Sequence, residues 1–571
     1  MLERIRELIG EKLGDLRFEV LLADPPAGGE VRGHLSTNAA FPFAKQMGVS
    51  PIVAAEELKK YLEEKGADFF SKIEVAEPGF LNFWLKPEVI REEFERIVGA
   101  GKEWGRPRKT RKGFAHGPRG KAIVEYSQPN IAKPMHVGHL RSTIIGDALA
   151  NILEFAGHEV IRWNYLGDWG TQFGKVIAAY KLWGDKYEVE KTPVEVLAGL
   201  YARFHEEMKQ DPALEARGSE EFRKLETGDK ENRELWEWFR EESIKELNKI
   251  YKLLGIEFDE WKGESSYRES LLPLIALLLE RGIARESEGA IIVPLEKFNL
   301  PPALIRKSDE GTLYLTRDIA SLEERVKNYQ ADKVLYVVDN GQSLHFQQLF
   351  AIAEILDLKG NFSHIKFGLV LGEDLKKLST RAGRHIALLE VINEAVERAR
   401  KVIEGKQPEM SDEEKKEIAQ VVGIGALKYN DLSQSRVADI TFDWDKMLSL
   451  QGNSAPYLQY TYARLKSILR KAGNTPSLEV GVIGKEADLR LILKLAFFPE
   501  VVKEVSESYL PHQIANYLYD LARAINDYYE KEPILKAEES LRGARLHLIK
   551  AASETLKTGL GLLGIGVVER M

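Results

Sequence analysis

Apolar residues follow two different periods along the first hundred residues. An apolar side chain every three or four positions from Leu2 to Ile9 predicts that the chain opens with an amphipathic helix. Alternating apolar and polar positions at 18–21 and 79–85 predict strands, and a helical pattern at about 50–65 lies between them. The pattern therefore predicts a small N-terminal α+β domain.

A longer α/β segment begins at residue 122. Apolar runs at 122–127 and 159–163 predict buried strands. Between them, a helical pattern runs from about Val137 to Ala156 and ends before Gly157. Strand, loop, helix and strand in this order form the first unit of a parallel sheet, so we predict a Rossmann-type α/β domain.

This sheet is predicted to be interrupted by helices and then to continue. Residues 191–250 hold 11 Lys/Arg against 15 Asp/Glu in a helical pattern, which predicts an acidic helical insertion at about 185–260. Strand-like runs return at 290–294, 311–316 and 333–338. We expect them to extend the same sheet.

Beyond about residue 385 the strand patterns disappear. The rest of the chain is rich in Leu, Ala and Tyr at helical spacing, which predicts an all-α bundle. The sequence thus predicts a multidomain α/β protein with boundaries at 1–108, 109–385 and 386–571.

Composition narrows the class of protein. The chain has 571 residues, 44% hydrophobic and 30% charged, which is typical of several folded domains rather than of a disordered chain. It has no cysteine, which excludes a disulfide framework, a thiol nucleophile and Cys-ligated zinc. The longest apolar stretch, 271–279, is too short to cross a membrane, and the N-terminus resembles neither a signal peptide nor a transit peptide. We expect a cytoplasmic protein.

Charge leaves the question of a nucleic-acid partner open. The net charge is −8, so such a partner would need local basic patches. Residues 101–121 provide one, with eight Lys/Arg against one acid, a local charge of +7. A solvated linker and a linker that contacts phosphates both fit this segment.

The tetrapeptide His136-Val137-Gly138-His139 lies where the strand 122–127 passes into the helix. A helix N-terminus offers free N–H groups to phosphate, and two imidazoles three residues apart lie on one face of its first turn. Gly138 would leave room for a flat adenine or ribose. Surface histidines with a packing glycine are the alternative, but the strand-to-helix position favours a site that stabilises charge on a triphosphate.

Longer motifs surround this tetrapeptide and identify a family. In chain order they are Val124-Glu125-Tyr126-Ser127-Gln128-Pro129-Asn130-Ile131-Ala132-Lys133-Pro134-Met135-His136, Asn164-Tyr165-Leu166-Gly167-Asp168-Trp169-Gly170, Leu315-Thr316-Arg317-Asp318, Lys376-Lys377-Leu378-Ser379-Thr380-Arg381, Phe442-Asp443-Trp444-Asp445 and Gly452-Asn453-Ser454-Ala455-Pro456-Tyr457. Together they resemble the arginyl members of the class I aminoacyl-tRNA synthetases along nearly the whole chain. The resemblance implies attachment of L-arginine to tRNA(Arg) through an arginyl-adenylate, with activation that requires tRNA.

The resemblance also implies where ATP is activated. The HxGH motif of the family falls on His136 and His139, and its mobile Lys-Met-Ser-Lys-Ser motif falls on 377–381. The second lysine of that motif is replaced by Thr380, and the resemblance implies that Lys133 supplies the missing charge. A solvated Lys133, with Arg381 or Arg384 in this role, is the alternative. The implied catalytic residues are Lys133, His136, His139 and Lys377, and the implied ATP-binding residues are His136, Gly138, His139, Gly341, His345, Lys377 and Ser379.

An arginine substrate needs acidic partners. Its guanidinium and its α-ammonium can be buried only against carboxylates in matched geometry. Glu125 and Asp318 are both predicted near the carboxyl ends of strands, the edge where open α/β sheets bind ligands. The alternatives are that these acids cap a helix or pair with Arg317. The resemblance implies arginine contacts at Glu125, Ser127, Asn130, Tyr314, Asp318 and Gln342, although Tyr314 would otherwise be a core residue of an apolar strand.

The remaining implications concern partners. The resemblance implies tRNA contacts at Phe80 and Asn82 in an N-terminal D-loop-binding domain, and at Tyr457 and Tyr460 in the Gly-Asn-Ser-Ala-Pro loop of an anticodon-binding bundle. Phe80 as a core residue of an alternating strand is the alternative. We expect ATP with Mg²⁺, no zinc and no other metal site, no membrane, and a monomer.

Two other functions share part of this pattern. Nucleotidylyltransferases carry HxGH on a Rossmann-like sheet, but they are small and need neither the N-terminal domain nor the bundle. A tRNA-binding protein without catalysis would not need His136, His139, Glu125 and Asp318. Glutamyl and glutaminyl synthetases also require tRNA, but their substrates do not call for two acids in the pocket.

Overall fold

A computed structural model describes residues 1–22, 33–107, 109–110, 113–114, 119–308, 313–371 and 386–571 of the chain. It contains three parts that follow one another in sequence: an N-terminal α+β part, a central part built on a parallel sheet, and a C-terminal helical part.

The N-terminal part packs helices on a four-stranded antiparallel sheet with the order β1-β2-β4-β3. The opening helix buries Leu2, Ile5, Leu8 and Ile9, as its periodicity predicts. The elements are α1 (Leu2–Leu13), β1 (Val20–Leu22), β2 (Leu35–Thr37), α2 (Ala40–Met47), α3 (Pro51–Lys65), β3 (Phe70–Ala76), β4 (Phe80–Leu85), α4 (Pro87–Ala100), and the short pair β5 (Lys109–Thr110) and β6 (Gly113–Phe114).

The central part confirms the predicted Rossmann-type sheet. Its five parallel strands have the order β14-β13-β7-β8-β9, so β7 lies in the middle. Three helices, α7 to α9, form the predicted insertion. The elements are β7 (Lys121–Glu125), α5 (Gly138–Phe155), β8 (Glu159–Asn164), α6 (Thr171–Trp183), α7 (Pro193–Met208), α8 (Ala213–Thr227), α9 (Lys230–Leu254), β9 (Glu260–Trp261), α10 (Leu271–Glu280), β10 (Arg285–Ser287), β11 (Ala290–Val293), β12 (Ala303–Arg306), α11 (Tyr314–Lys327), β13 (Lys333–Tyr336), α12 (Ser343–Ile355), β14 (Asn361–His364) and β15 (Val370–Leu371).

Two strand predictions for this part were wrong: one strand belongs to a different sheet, and the other run begins a helix. The run at 290–294 does form β11, but it pairs with β10 and β12 in a separate antiparallel sheet. The run at 311–316 overlaps the start of helix α11, which buries Leu315, Ile319 and Leu322 at helical spacing. A short apolar run fits both the strand period and the helix period. Here the apolar positions that follow continue at helical spacing, so the segment is helical.

The C-terminal part is the predicted helical bundle. Its elements are α13 (Leu388–Lys406), α14 (Asp412–Leu432), β16 (Ile440–Thr441), α15 (Trp444–Met447), α16 (Ala455–Ala472), α17 (Glu486–Ala496), α18 (Phe498–Ser508), α19 (His512–Lys531) and α20 (Glu539–Leu562). The expectation that strands end at 385 was wrong, because β16 pairs in parallel with β15 of the central part. Two-residue strands are too short to leave a pattern in the sequence.

The most apolar helix of the chain is α10, and it is only 10 residues long. Among the residues that the structure describes, none of the helices has both the length and the apolar content that a membrane crossing requires.

Helix α5 joins the central sheet to the bundle. Arg141 on α5 is buried and forms a two-point ion pair with Asp431 of α14, at 2.9 Å for both Nε–Oδ2 and Nη2–Oδ1. Two turns further along α5, Asp147 lies 3.7 Å from Lys428 of the same bundle helix. Buried pairs of opposite charge thus fix the contact between α5 and α14 at two points.

Gly564, just after the last helix, α20, also takes part in the contact between α5 and α14. Gly564 follows α20 in the left-handed region, with φ of 66°. Lys428 donates to its carbonyl at 2.7 Å, and a Cβ at Gly564 would lie 2.6 Å from the Asp147 carboxylate. Only glycine fits both the backbone and the space at this position.

We predict that Asp431→Asn lowers the free energy of unfolding by about 3 kcal/mol, because it leaves the Arg141 guanidinium buried without a charged partner. Thermal and denaturant unfolding measure the change. Glu394→Gln, which breaks the exposed pair with Arg398, is the control and should cost about 0.5 kcal/mol or less. Equal effects in both variants would contradict a special role for the buried pair.

Candidate functional site

A cleft of about 340 Å³ opens at the carboxyl edge of the parallel sheet, above β7 and β13. The N-terminus of α5 forms one side of it and the segment 367–370 the other. It brings together five residues that the sequence singled out: Ser127, His136, Gly138, His139 and Gln342. The other lining residues are Gln128, Val137, Arg141, Ser142, Val338, Asp339, Phe367, Gly368, Leu369 and Val370.

The two histidines of the tetrapeptide lie side by side at the start of α5. Their ring centroids are 4.0 Å apart with an angle of 44° between the planes. The Gly138 N–H donates to His136 Nδ1 at 3.1 Å, and the His136 N–H donates to His139 Nδ1 at 3.1 Å. Since Nδ1 of His136 accepts, its proton is on Nε2, and this ring can donate to an anion in the cleft.

Gly138 has a different local role from the one expected. A Cβ at this position would lie 2.8 Å from the His136 ring. The imidazole of His136, rather than open space for a ligand ring, occupies the volume beside Gly138. The glycine therefore lets His136 fold back over the first turn of the helix.

The loop between β7 and α5 is strained. Ser127 and Gln128 are consecutive residues with φ of 74° and 50°, and Ala132 has φ of 57°. Left-handed conformations are unfavourable for residues with a Cβ, so surrounding contacts must hold them. Strain of this kind is concentrated at functional sites.

Buried hydrogen bonds hold this loop from both sides. From α5, Ser142 Oγ accepts from the Ser127 N–H at 2.9 Å. From insertion helix α9, the Tyr251 hydroxyl lies 2.6 Å from Ser127 Oγ, and Ser243 Oγ accepts from the Ala132 N–H at 2.8 Å. The helical insertion therefore shapes the loop that carries most of the predicted site.

Glu125, the last residue of β7, is buried and already has two partners. Gln128 Nε2 donates to its Oε1 at 2.7 Å, and Arg325 of α11 forms an ion pair with its Oε2. Burial raises the pKa of Glu125, and the charge of Arg325 opposes that effect. Sequence reasoning missed Arg325, because nothing near residue 325 marks it as a partner of residue 125.

Asp318 and Tyr314 lie on helix α11, not at a strand end as predicted. Tyr314 is the first residue of the helix and is 61% exposed, so it is not a core residue. Asp318 lies one turn later on the helix. Its Oδ2 is 2.6 Å from Nε2 of His345, which is hydrogen-bond distance. The structure thus places two predicted residues, Asp318 and His345, in direct contact.

Glu264 is a further buried acid that the sequence did not reveal. It follows β9, so its position after a strand of the sheet is the one available signal. Burial raises its pKa to about 8, while Arg317, whose Nη1 lies 3.4 Å from Oε2, lowers it and the charge of Asp318 raises it. An acid of this pKa is ready to ionise when a cation arrives.

Three other predicted residues take defined places. Asn130 pairs with Gly167, where a Cβ would lie 1.9 Å from Asn130 Oδ1, so the two motifs that contain them are in contact. The N–H of Gly341 donates to Asp339 Oδ1 at 2.8 Å, next to Gln342 at the cleft.

Lys133 points toward the insertion. Its Nζ lies 4.5 Å from the ring centroid of Tyr201 on α7, and partial burial lowers its pKa. Lys377 and Ser379 lie outside the described residues, as do Thr380, Arg381 and Arg384. The segments on both sides of this gap reach the cleft, since Val370 lines it and the Ile386 carbonyl accepts from the Val137 N–H at 3.0 Å.

The four predicted RNA contacts lie in two different parts of the molecule, two on strand β4 and two on helix α16. Phe80 is 38% exposed and packs edge-on against Phe41 at 5.1 Å, so it is not a core residue, whereas Asn82 is buried. Tyr457 and Tyr460 lie in the first turns of α16 rather than in the preceding loop. They line a cavity of about 620 Å³ in the bundle, together with Arg464, Tyr519, Arg523 and others.

Family models match nearly the whole chain. The model described as "tRNA synthetases class I (R), catalytic domain" matches residues 108–444. The models described as "Arginyl tRNA synthetase N terminal domain" and "DALR anticodon binding domain" match 3–85 and 458–571.

Known proteins are similar over the full length. The arginine–tRNA ligase of Halothermothrix orenii is 40% identical over 100% of this chain and 99% of its own, and that of Enterococcus faecalis is 41% identical over 99% and 98%. The solved arginyl-tRNA synthetase of Thermus thermophilus superposes with a TM-score of 0.84 at 28% identity, covering 100% of both chains. That of Plasmodium falciparum superposes with a TM-score of 0.82 at 27% identity, covering 100% of this chain and 99% of its own.

We predict that Tyr251→Phe lowers the free energy of unfolding by about 1–3 kcal/mol, because Ser127 and Asn164 lose the hydroxyl that they share. Tyr165→Phe is the matched control: its buried hydroxyl has no hydrogen-bond partner among the described residues, so its removal should be neutral or stabilising. Denaturant unfolding compares the two. A Tyr165 variant that loses as much stability as the Tyr251 variant would contradict the prediction.

Proposed function

The chain belongs to the arginyl-tRNA synthetases of class I, and from this we propose that the cleft at the N-terminus of α5 binds ATP and that the acids beside it bind arginine. The enzyme attaches L-arginine to tRNA(Arg) through an arginyl-adenylate and releases AMP and pyrophosphate. The observation that carries this function is the match to arginine–tRNA ligases along the full chain. It excludes a small nucleotidylyltransferase, which would match the central part alone.

We assign ATP to the cleft because its surroundings suit a triphosphate. Helix α5 begins at Gly138 and directs the positive end of its dipole toward the cleft, where the imidazole rings of His136 and His139 also lie. His139, Gly138, Gly341 and His345 complete the proposed ATP site, with Lys377 and Ser379 of the second motif. Charge builds on the α-phosphate and the leaving pyrophosphate as the arginine carboxylate attacks, so donors aimed there lower the barrier.

We assign the guanidinium of the substrate to Asp318 and Glu264. The two acids approach each other from α11 and from the segment after β9, and Tyr314 begins the same helix as Asp318. The fork of a guanidinium can bond to carboxylates from two directions, which an ammonium cannot match. Glu125, Ser127, Asn130 and Gln342, around the loop and the cleft, then receive the α-ammonium and carboxylate end of the substrate.

We propose that tRNA meets the enzyme at both ends of the chain. Exposed Phe80 in domain 1–108 can stack on a splayed base, and the buried Asn82 lies two residues further along the same strand, β4. Tyr457 and Tyr460, in domain 386–571, line a cavity that contains Arg464 and Arg523, a combination that suits stacked bases and phosphates. The catalytic domain 109–385 lies between them, after the basic linker.

We further propose that Mg²⁺ enters as part of the substrate MgATP, since this ion is commonly bound through phosphates and water. Among the described residues no three His, Asp or Glu side chains gather into a metal site. A monomer in the cytoplasm remains our proposal for the state and location of the enzyme.

We predict that Asp318→Asn lowers kcat/KM for arginine by about 10²- to 10³-fold, because the buried guanidinium loses a charged partner. Aminoacylation of tRNA with labelled arginine, and arginine-dependent pyrophosphate exchange in the presence of tRNA, measure it. Glu323→Gln, which changes a partly buried acid that pairs with Lys327 on the same helix, is the control. If Asp318→Asn charges tRNA as well as the parent, the arginine site is wrongly assigned.

We predict that Lys133→Ala lowers kcat for activation by roughly 10²-fold or more with little change in KM for ATP, because Lys133, once it leaves the Tyr201 ring, would bring a cation to the leaving pyrophosphate in the transition state. Thr380→Lys in that background should restore part of the rate. Lys191→Ala, an exposed lysine before α7, is the control. A near-normal kcat in Lys133→Ala would move the role to Arg381 or Arg384.

A further inference from the structure

The acid at the end of the central strand is enclosed together with a permanent cation. Glu125 is 5% exposed, and both of its oxygens have partners, Gln128 Nε2 on one and the Arg325 guanidinium on the other. Arg325 itself is fully buried. Arg325 is therefore closed off from solvent, whereas Glu125 keeps a small exposed area.

Aromatic rings surround the guanidinium of Arg325. Its central carbon lies 4.6 Å from the ring centroid of Trp163, 5.2 Å from that of Tyr336 and 5.8 Å from that of Tyr165. The faces of such rings attract a cation and leave little room for it to move. The rings thus hold Arg325 in place in addition to its ion pair with Glu125.

We propose that Arg325 is a positioning residue for arginine recognition, a guanidinium of the protein itself that keeps Glu125 ionised and oriented so that Glu125 can receive the α-ammonium of the substrate. This inference rests on the proposed function, which places Glu125 at the substrate. It assigns to Arg325 a part in specificity although Arg325 need not touch the substrate.

The physical need for such a residue follows from burial. A carboxyl at this depth tends to take up a proton and become neutral. The groups that face Glu125 are Arg325, Gln128, Asp318, Tyr165 and Tyr336, and of these Arg325 alone carries positive charge. Asp318 acts in the opposite direction, since its charge also raises the pKa of Glu125.

Arginine suits this position better than lysine would. A guanidinium does not lose its proton in a protein, whereas a buried lysine readily does. A flat guanidinium also lies against aromatic faces while its N–H groups bond to a carboxylate in the same plane. Only a cation that keeps its charge can keep Glu125 ionised in an enclosed site.

The first test is Arg325→Met, which fills the space among the rings without charge. We expect KM for arginine to rise about 10²-fold at pH 7, with KM for ATP changed less than about threefold. Loss of Arg325 raises the pKa of Glu125 further, so the variant should regain arginine affinity as the pH rises from about 6.5 to 8.5, more steeply than the parent. Pyrophosphate exchange with tRNA measures these constants.

Chemical rescue separates charge from packing. Methylguanidinium should inhibit the parent by competing with arginine, but should lower KM for arginine in Arg325→Ala, which leaves a space among the rings where this cation can bind beside Glu125. The Arg325→Lys variant tests the idea if Arg325→Met does not fold: Glu125 favours a protonated lysine but burial opposes its charge, so KM for arginine should rise above that of the parent by less than about 10²-fold, and methylguanidinium should not improve it. The proposal would be overturned by a normal KM in Arg325→Met, or by a raised KM that pH does not change in Arg325→Met and methylguanidinium does not change in Arg325→Ala.

Glu125→Gln distinguishes this inference from the assignment on which it rests. If Arg325 acts through Glu125, Arg325→Met combined with Glu125→Gln should have the same KM for arginine as Glu125→Gln alone. A Glu125→Gln enzyme with the parent's KM would show that Glu125 does not bind the substrate, which contradicts the proposed function. A defective Glu125→Gln beside a normal Arg325→Met would refute the role of Arg325 alone.

Discussion

The contact of helix α5 with the bundle is the constraint on which the rest of the structure depends. Helix α5 begins with the two histidines of the cleft, covers the central sheet with one face and meets α14 with the other. Buried opposite charges set this contact at two points, Arg141 with Asp431 and Asp147 with Lys428. A buried charge without its partner is far less favourable than a displaced apolar side chain, so such pairs define one arrangement of the two parts. The orientation of the bundle and the position of the cleft are therefore not independent.

The same region holds the other side of the cleft. Arg436, in the turn after α14, donates to the Lys366 carbonyl at 2.5 Å, and Asp439 Oδ1 accepts from the Leu369 N–H at 2.6 Å. Strands β15 and β16 continue this attachment. Because Arg141 also bonds to the Ala438 and Arg436 carbonyls, one turn of the bundle holds both sides of the cleft. If the bundle binds tRNA and the cleft binds ATP, as we propose, these bonds connect the two sites.

The proposed arginine site brings several buried charges together. Three acids meet there, Glu125, Asp318 and Glu264, and each has a positively charged or protonatable neighbour in the protein: Arg325, His345 and Arg317, respectively. Such an arrangement keeps the empty site close to neutral, which limits the cost of burying so many acids. It also means that a cationic group of the substrate binds to acids that already have Arg325, His345 or Arg317 as a neighbour. The strained loop at Ser127 and Gln128 follows Glu125 and lines the cleft, and a hydrogen bond from insertion helix α9 helps to hold its form.

The sequence by itself determined the order of domains, the parallel sheet with its inserted helices, the helical bundle and the two histidines at the start of α5, because each of these leaves a local pattern of spacing or a contiguous motif. Tertiary structure alone decided which residues became partners. Glu125 and Arg325 are 200 residues apart and Arg141 and Asp431 are 290 apart, and no local period relates such positions. The same holds for Glu264 and for the helix that replaced the expected strand at Tyr314, where burial against distant elements chose between two conformations that the short apolar run allows equally. Local periodicity reports the face that a segment buries, whereas pairing of buried charges depends on how the chain crosses the sheet, and that is a property of the folded molecule.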